Sequence, residues 1–124
     1  MVIYISHSKD LDFQKALYQP LKGSDLSRQH KFIFPHESSD LPFNSKDLLS
    51  SGGCGLVLAE VSYPATGQGI ELGWANAFEI PIVCLYKKGF KTSQSLEVVC
   101  KQLIEYSDTQ DTIHKIESVI KNYE

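Results

Sequence analysis

The chain has 124 residues, 42% of them hydrophobic, with a formal net charge of −3 and acidic and basic residues interspersed. Such a chain makes one compact domain around a single core. The absence of a basic stripe disfavours a polymeric nucleic-acid partner, while leaving a single nucleotide open. The opening MVIYISHSKD lacks the charged and long apolar regions of a signal peptide. No apolar run approaches the roughly 20 residues that span a bilayer, so the chain reads as cytoplasmic with no membrane partner. Cys54, Cys84 and Cys100 form no CxxC pair and have no His at zinc spacing. They read as reduced, buried thiols, and neither a metal nor a cofactor is expected.

In chain order, VIYIS at residues 2–6 reads as a buried parallel strand. DLDFQKALYQPL at residues 10–21 reads as a helix with Leu11, Phe13, Leu17 and Leu21 near one face and Asp10 as its N-cap. Pro20 ends or bends it near the last turn. KFIF at residues 31–34 is a shorter strand, stopped by Pro35. The polar stretch PHESSDLPFNSKD at residues 35–47 is long for a connection and fits a lid or binding loop. SKDLLSS at 45–51 makes one or two helical turns, GLVLAEV at 55–61 a strand, GQGIELGWANAF at 67–78 a helix and IPIVCLY at 80–86 a strand. Helices at 95–103 and 109–123 follow, with a short strand near 103–106 pairing beside residues 80–86. Strands alternating with helices predict right-handed crossovers and a flavodoxin-like, Rossmann-like α/β domain. Its sheet has about five parallel strands in the order 2-1-3-4-5, with helices on both faces.

In such a sheet, ligands bind beyond the carboxyl ends of the strands. That edge collects Ser6-His7-Ser8, His36, the loop from Glu60 to Glu71, and Tyr86-Lys87-Lys88. Within SYPATGQGIE, Thr66, Gly67 and Gly69 can expose backbone N–H groups at a helix N-terminus, which suits an anion or hydroxyl. The spacing alone favours Glu71 as a first-turn carboxylate that complements the helix dipole, worth about 0.3–1 kcal/mol. Glu60 reads as a strand-end residue satisfied by local N–H groups, outside the site. Asp47 reads as an ordinary acidic residue at a helix start. His7 and His36 are placed to bind a base or move protons near neutral pH. Trp74, one turn after Glu71, favours packing over base stacking.

The segment LAEVSYPATGQGIELGWANAFEIPIVCLY nonetheless resembles the signature of the nucleoside 2-deoxyribosyltransferase superfamily, which includes the 2′-deoxynucleoside 5′-monophosphate N-glycosidases. The shared features are Ala59-Glu60-Val61-Ser62, the turn Thr66-Gly67-Gln68-Gly69, then Glu71-Leu72-Gly73, with an opening strand similar to IYISHS. Asp47 lies 24 positions before Glu71, a spacing found in the monophosphate hydrolases. The likeness spans roughly residues 2–90 and is strongest over 57–86.

The resemblance implies that Glu71 is a nucleophile that attacks the anomeric carbon of a 2-deoxyribosyl group, expelling the base and forming a covalent glycosyl-enzyme. By the same resemblance Asp47 is the acid that serves or positions the base and sugar, and Tyr4 orients the nucleophile. Ser8 holds the 5′ side of the substrate, and Gly67 and Gly69 give close backbone approach. The family's habit of dimerising implies a homodimer through the apolar side of the helix bearing Ile70, Trp74, Ala77 and Phe78. Two departures stand out. Ala65 occupies the position where many members carry Ser or Asp, and Lys9-Asp10-Leu11 replaces a Gly-Gly-Arg-like phosphate segment. The expected activity is cleavage or transfer of the N-glycosidic bond of 2′-deoxynucleosides or their 5′-monophosphates. Hydrolase and transferase both fit, and the rival is a non-catalytic nucleoside- or nucleotide-binding module.

Overall fold

The computed structural model describes residues 1–39 and 41–124. Five strands form one all-parallel sheet in the order β2-β1-β3-β4-β5. They are β1 (Val2–His7), β2 (Lys31–Ile33), β3 (Leu56–Glu60), β4 (Ile82–Lys87) and β5 (Gln102–Tyr106). The expected strand order is therefore the observed one. Register places Tyr4 beside Ile33 and Val57, and His7 beside Glu60, so the chemistry-bearing strand ends lie along one edge.

Alternation along each strand sends successive side chains to opposite faces, which gives the sheet two apolar layers. On one face Ile3, Ile5, Leu58 and Leu85 pack against Leu17 and Leu21 of the first crossover and against Ile116 and Ile120 of α6 (Thr109–Lys121). On the other, Tyr4, Val57, Ala59 and Cys84 pack against Leu49 of α3 (Ser45–Ser50) and Leu72 and Ala75 of α4 (Thr66–Ala77).

The first crossover differs from the expected single helix. A π-helical turn, Gln14–Tyr18, precedes α1 (Gln19–Lys22), and a separate turn of helix, α2 (Leu26–Gln29), follows. Pro20 has no N–H to offer the carbonyl four residues back, and the Gln19 N–H instead reaches back to Gln14, closing the wider ring. Asp10 does not cap this segment; its backbone N–H bonds to Ser8 Oγ at 3.0 Å. The helix expected at 95–103 shrinks to α5 (Leu96–Val99). Cys100 is already extended, and the Lys101 N–H bonds to the Ile82 carbonyl at 2.7 Å, drawing the chain into β5. At the far end of α4, Glu79 takes a left-handed turn at φ 60°, a conformation that costs a side-chain-bearing residue roughly 1–2 kcal/mol.

Candidate active site

Glu71 is the sixth residue of α4, one turn further in than the sequence reading placed it. The dipole-complementing role expected for a first-turn carboxylate therefore does not describe it. Its partners are hydroxyls of β1: the Tyr4 phenol donates to Oε2 and Ser6 Oγ donates to Oε1 at 3.1 Å. Residues 4 and 6 share a face of the strand, so both reach up to the helix packed above. Tyr4 is fully buried, and burial, the Glu71 charge and the bond to it hold the phenol well above its ordinary range, with a Ser45 hydrogen bond offsetting part. The phenol therefore stays a donor. A carboxylate has about four lone-pair positions, and two donors leave the rest for another group.

That free side faces a cavity of about 490 Å³ between β1, the β2–α3 connection and the start of α4. Its lining includes Ser8, His36, Phe43, Ser45, Gly67 and Trp74 besides Glu71. A volume in the range of roughly 300–1,000 Å³ suits a small organic ligand. Ala65, at the N-cap of α4, has no side-chain oxygen to satisfy the first-turn N–H groups, whereas Asn44 and Asp108 cap α3 and α6. The first turn of α4 thus opens beside the cavity with its amides uncapped by a side chain.

Of the expected site residues, Glu71, His7, Ser8, His36 and Gly67 line this cavity, and Tyr4 lies beneath it, bonded to Glu71. Thr66 is the exposed first residue of α4, outside the lining. Gly69 lines a neighbouring cleft of about 320 Å³ on the other side of the helix. Asp47 is exposed, and its Oδ2 accepts from Asn44 Nδ2 at 2.9 Å while its N–H bonds to Asn44 Oδ1 at 3.2 Å. His7 is buried with both ring nitrogens engaged inside the protein, to the Ser8 carbonyl at 2.9 Å and to the Tyr18 hydroxyl at 2.7 Å. Burial, with the His36 ring adding to it, pulls that imidazole down to about 4.

The sequence placed Ser6 at the ligand-binding edge without giving it a role, did not point to Ser45, and favoured packing for Trp74, which lines the cavity. For Ser6 a signal existed: it stands two residues beyond Tyr4 on one strand face. The 35–47 stretch contributes His36, Pro42, Phe43 and Ser45 to the cavity; Asp40 lies outside the described residues. Glu60 stays out of the site, as expected, though not through local N–H groups alone. Ser62 donates to it from its N–H at 2.7 Å and its hydroxyl at 2.8 Å, and the Tyr106 phenol donates as well.

Among the described residues no group of three or more His, Cys, Asp or Glu could hold a metal ion. None of their helices is long and apolar enough to cross a membrane. The three thiols are free; Cys54 and Cys84 are buried, and burial pushes both thiols upward, away from the reactive thiolate.

No protein-family model and no curated protein matches the chain. Among solved structures, the chain is similar to the CMP N-glycosidase BcmB of Clostridium botulinum, with a TM-score of 0.64 and 19% identity, over 94% of this chain and 99% of that one. The fold is one that an N-glycosidase uses. The likeness in fold extends over nearly the whole of both chains and agrees with the strand order expected from the sequence.

Proposed function

We propose that this protein cleaves the N-glycosidic bond of a nucleoside 5′-monophosphate or nucleoside, with Glu71 as nucleophile. The observation that carries the reading is the Glu71 carboxylate, aimed by Tyr4 and Ser6 into a nucleotide-sized cavity. The shared fold with an enzyme named for CMP N-glycosidase activity supports the class of bond.

One Glu71 oxygen attacks C1′ of the sugar, and the C1′–N bond breaks as the base leaves. The result is a glycosyl ester, which water then hydrolyses, regenerating the carboxylate. Tyr4 and Ser6 fix the carboxylate plane before the reaction, so orientation is not lost to solvent. The departing base takes a proton, and the resemblance assigns that proton to Asp47. In this role Asp47, in its protonated form, turns its exposed carboxyl from Asn44 toward the base and gives up the proton. The carboxylate so formed takes a proton from the water that hydrolyses the ester. The first-turn amides of α4, with Ser8 and Lys9 at the rim, suit an anionic 5′ group and favour the monophosphate. A second copy would dock on the exposed side of α4, where Ile70 and Phe78 are uncovered.

The test is chromatographic release of free base from CMP, the four deoxynucleosides and their 5′-monophosphates, with and without a second base, beside Glu71→Gln. Release lost in the variant supports the reading, and its substrate profile distinguishes ribose from deoxyribose and nucleotide from nucleoside. Transfer to the second base marks a transferase. Nucleotide binding without any release, in the wild type, overturns it in favour of a binding module.

A further inference from the structure

The connection between β2 and α3 reaches the cavity through His36, and one side chain outside the cavity ties that connection down. Tyr18, the last residue of the π-helical turn, is fully buried and does not line the cavity. Its hydroxyl lies 2.7 Å from His7 Nε2 and accepts from the His36 backbone N–H at 3.0 Å. The opposite side of the His7 ring fixes the direction of the first bond. The Ser8 carbonyl, 2.9 Å from Nδ1, can only accept, so Nδ1 carries the proton and Nε2 accepts from Tyr18. One continuous chain of donors thus runs from the His36 N–H through Tyr18 and His7 to the Ser8 carbonyl. It spans from the β2–α3 connection to the end of β1.

The rings around this chain are packed as tightly as the bonds are ordered. His7 stacks on Phe13 with centroids 4.5 Å apart and meets His36 edge-on at 5.6 Å, while Tyr18 lies 4.7 Å from Phe34. Burial pushes the Tyr18 phenol up to about 12; Glu37 and Glu71 add to the rise and the His36 amide opposes it, so the hydroxyl keeps the proton it donates. A further tie on this connection, the Lys22–Glu37 ion pair, is about half exposed at both ends and correspondingly weak.

We propose that Tyr18 is a positioning residue for ligand binding: its hydroxyl sets where the His36 segment stands over the cavity, and so sets the affinity of the site without touching Glu71. The kinetic part of this proposal rests on the N-glycosidase reading; the structural part does not. Phe at position 18 would keep the ring packing but strip the His36 N–H of its acceptor and His7 Nε2 of its donor.

The experiment uses the full chain carrying Tyr18→Phe. Amide exchange at His36 is followed by NMR, with Leu58 in the sheet as internal reference. KM and kcat are taken for base release from the nucleotide that the wild type cleaves best. Loss of one buried hydrogen-bonding partner predicts that the His36 amide exchanges about tenfold faster relative to Leu58 and that KM rises about tenfold, with kcat changing less. An unchanged His36-to-Leu58 exchange ratio overturns the proposal, as does an unchanged KM or a fall in kcat alone. Should Tyr18→Phe fail to fold, His7→Gln against His7→Leu decides. Both variants lose the imidazole that lines the cavity, so they are compared with each other. The amide keeps an acceptor for the Tyr18 hydroxyl and gives slower His36 amide exchange, relative to Leu58, than the leucine does; equal exchange ratios overturn the proposal. If the wild type releases no base, the catalytic reading alone fails, and the Kd for CMP by calorimetry stands in for KM.

Discussion

Two glutamates eleven residues apart, Glu60 and Glu71, meet the same pair of side-chain types in different surroundings. Each carboxylate takes a phenol and a serine hydroxyl: Tyr106 and Ser62 for Glu60, Tyr4 and Ser6 for Glu71. Glu60 adds a backbone N–H, is only 1% exposed, and is enclosed where β3, β4 and β5 end together. The Ser62 oxygen that donates to it also accepts from the Lys87 N–H at 2.8 Å, so the group fastens β4 to the β3–α4 turn. Among the described residues Glu71 has no third donor, and it opens on a cavity. The difference teaches that the hydroxyl pair alone does not make a reactive carboxylate. An unfilled position beside a ligand-sized space is what the proposed nucleophile has and Glu60 lacks.

The largest effect should come from Glu71→Gln, which keeps the shape and removes the nucleophile. Base release should fall by about a thousandfold or more, on the order of 4 kcal/mol in the barrier. The melting temperature should move little, because the carboxylate faces open space on one side. A variant that melts far below wild type would place Glu71 with Glu60, as a structural group. Next comes Asp47→Asn. If Asp47 protonates the leaving base, its loss costs about a hundredfold in release from a poor leaving group, and less from a substrate whose base leaves easily. A rate equal to wild type on every substrate would leave Asp47 as Asn44's capping partner and nothing more.

Glu60→Gln should show the opposite signature. An amide in place of the buried carboxylate cannot accept from all three donors, and leaving buried donors unmatched costs about 2–3 kcal/mol of stability. Denaturant titration reads that loss, while base release per folded molecule stays near wild type. A fall in kcat with full stability would move Glu60 into the site.

A third buried polar group at the same edge adds a pH window. His7 sits at about 4 in the folded chain against an ordinary value near 6.5, so the fold holds it neutral. Between those values the unfolded chain binds a proton that the folded chain refuses, and stability falls as the pH drops. The contribution is fully present above pH 6.5 and lost by about pH 4; from pH 7 to 5 it amounts to about 2 kcal/mol. Unfolding curves across that range should be steeper in pH for wild type than for His7→Gln. Parallel curves would mean that His7 takes its proton while folded.

How much of this was legible in the sequence follows from which forces decide each part. The strands were, because β1, β3 and β4 are near-continuous apolar runs buried on both faces. Strand order followed from crossover handedness and chain length. The segment at 95–103 was not, since Leu96, Val99 and Leu103 fit a helical stripe, whereas the Lys101 N–H bonded to Ile82 and the ladder to β4 beyond it draw the chain into the sheet. The broken first crossover depends on the hydrogen bond that Pro20 cannot make. The motif drew attention to Glu71, but Glu71 stands one turn deeper in α4 than the spacing suggested. Its second partner, Ser6, needed the strand's period of two applied to Tyr4. The tie through Tyr18 joins residues that are distant in sequence and has no local signal.

The smallest effects come from the phenols, and they are the sharpest test of the pairing. Tyr4→Phe leaves Ser6 as the remaining hydroxyl on Glu71, so the carboxylate keeps its place and loses part of its aim. About a tenfold drop in kcat is expected, with stability nearly unchanged, because the ring still fills its space beside Val57. Tyr106→Phe takes the matching donor from Glu60. There the loss should appear as about 1–2 kcal/mol of stability and no change in kcat, since that carboxylate does not line the cavity. If both variants lost only stability, the two glutamates would be two copies of one structural device. If Tyr4→Phe lost only kcat, one hydroxyl pair would have been used twice in one chain, once to close a sheet edge and once to aim a nucleophile.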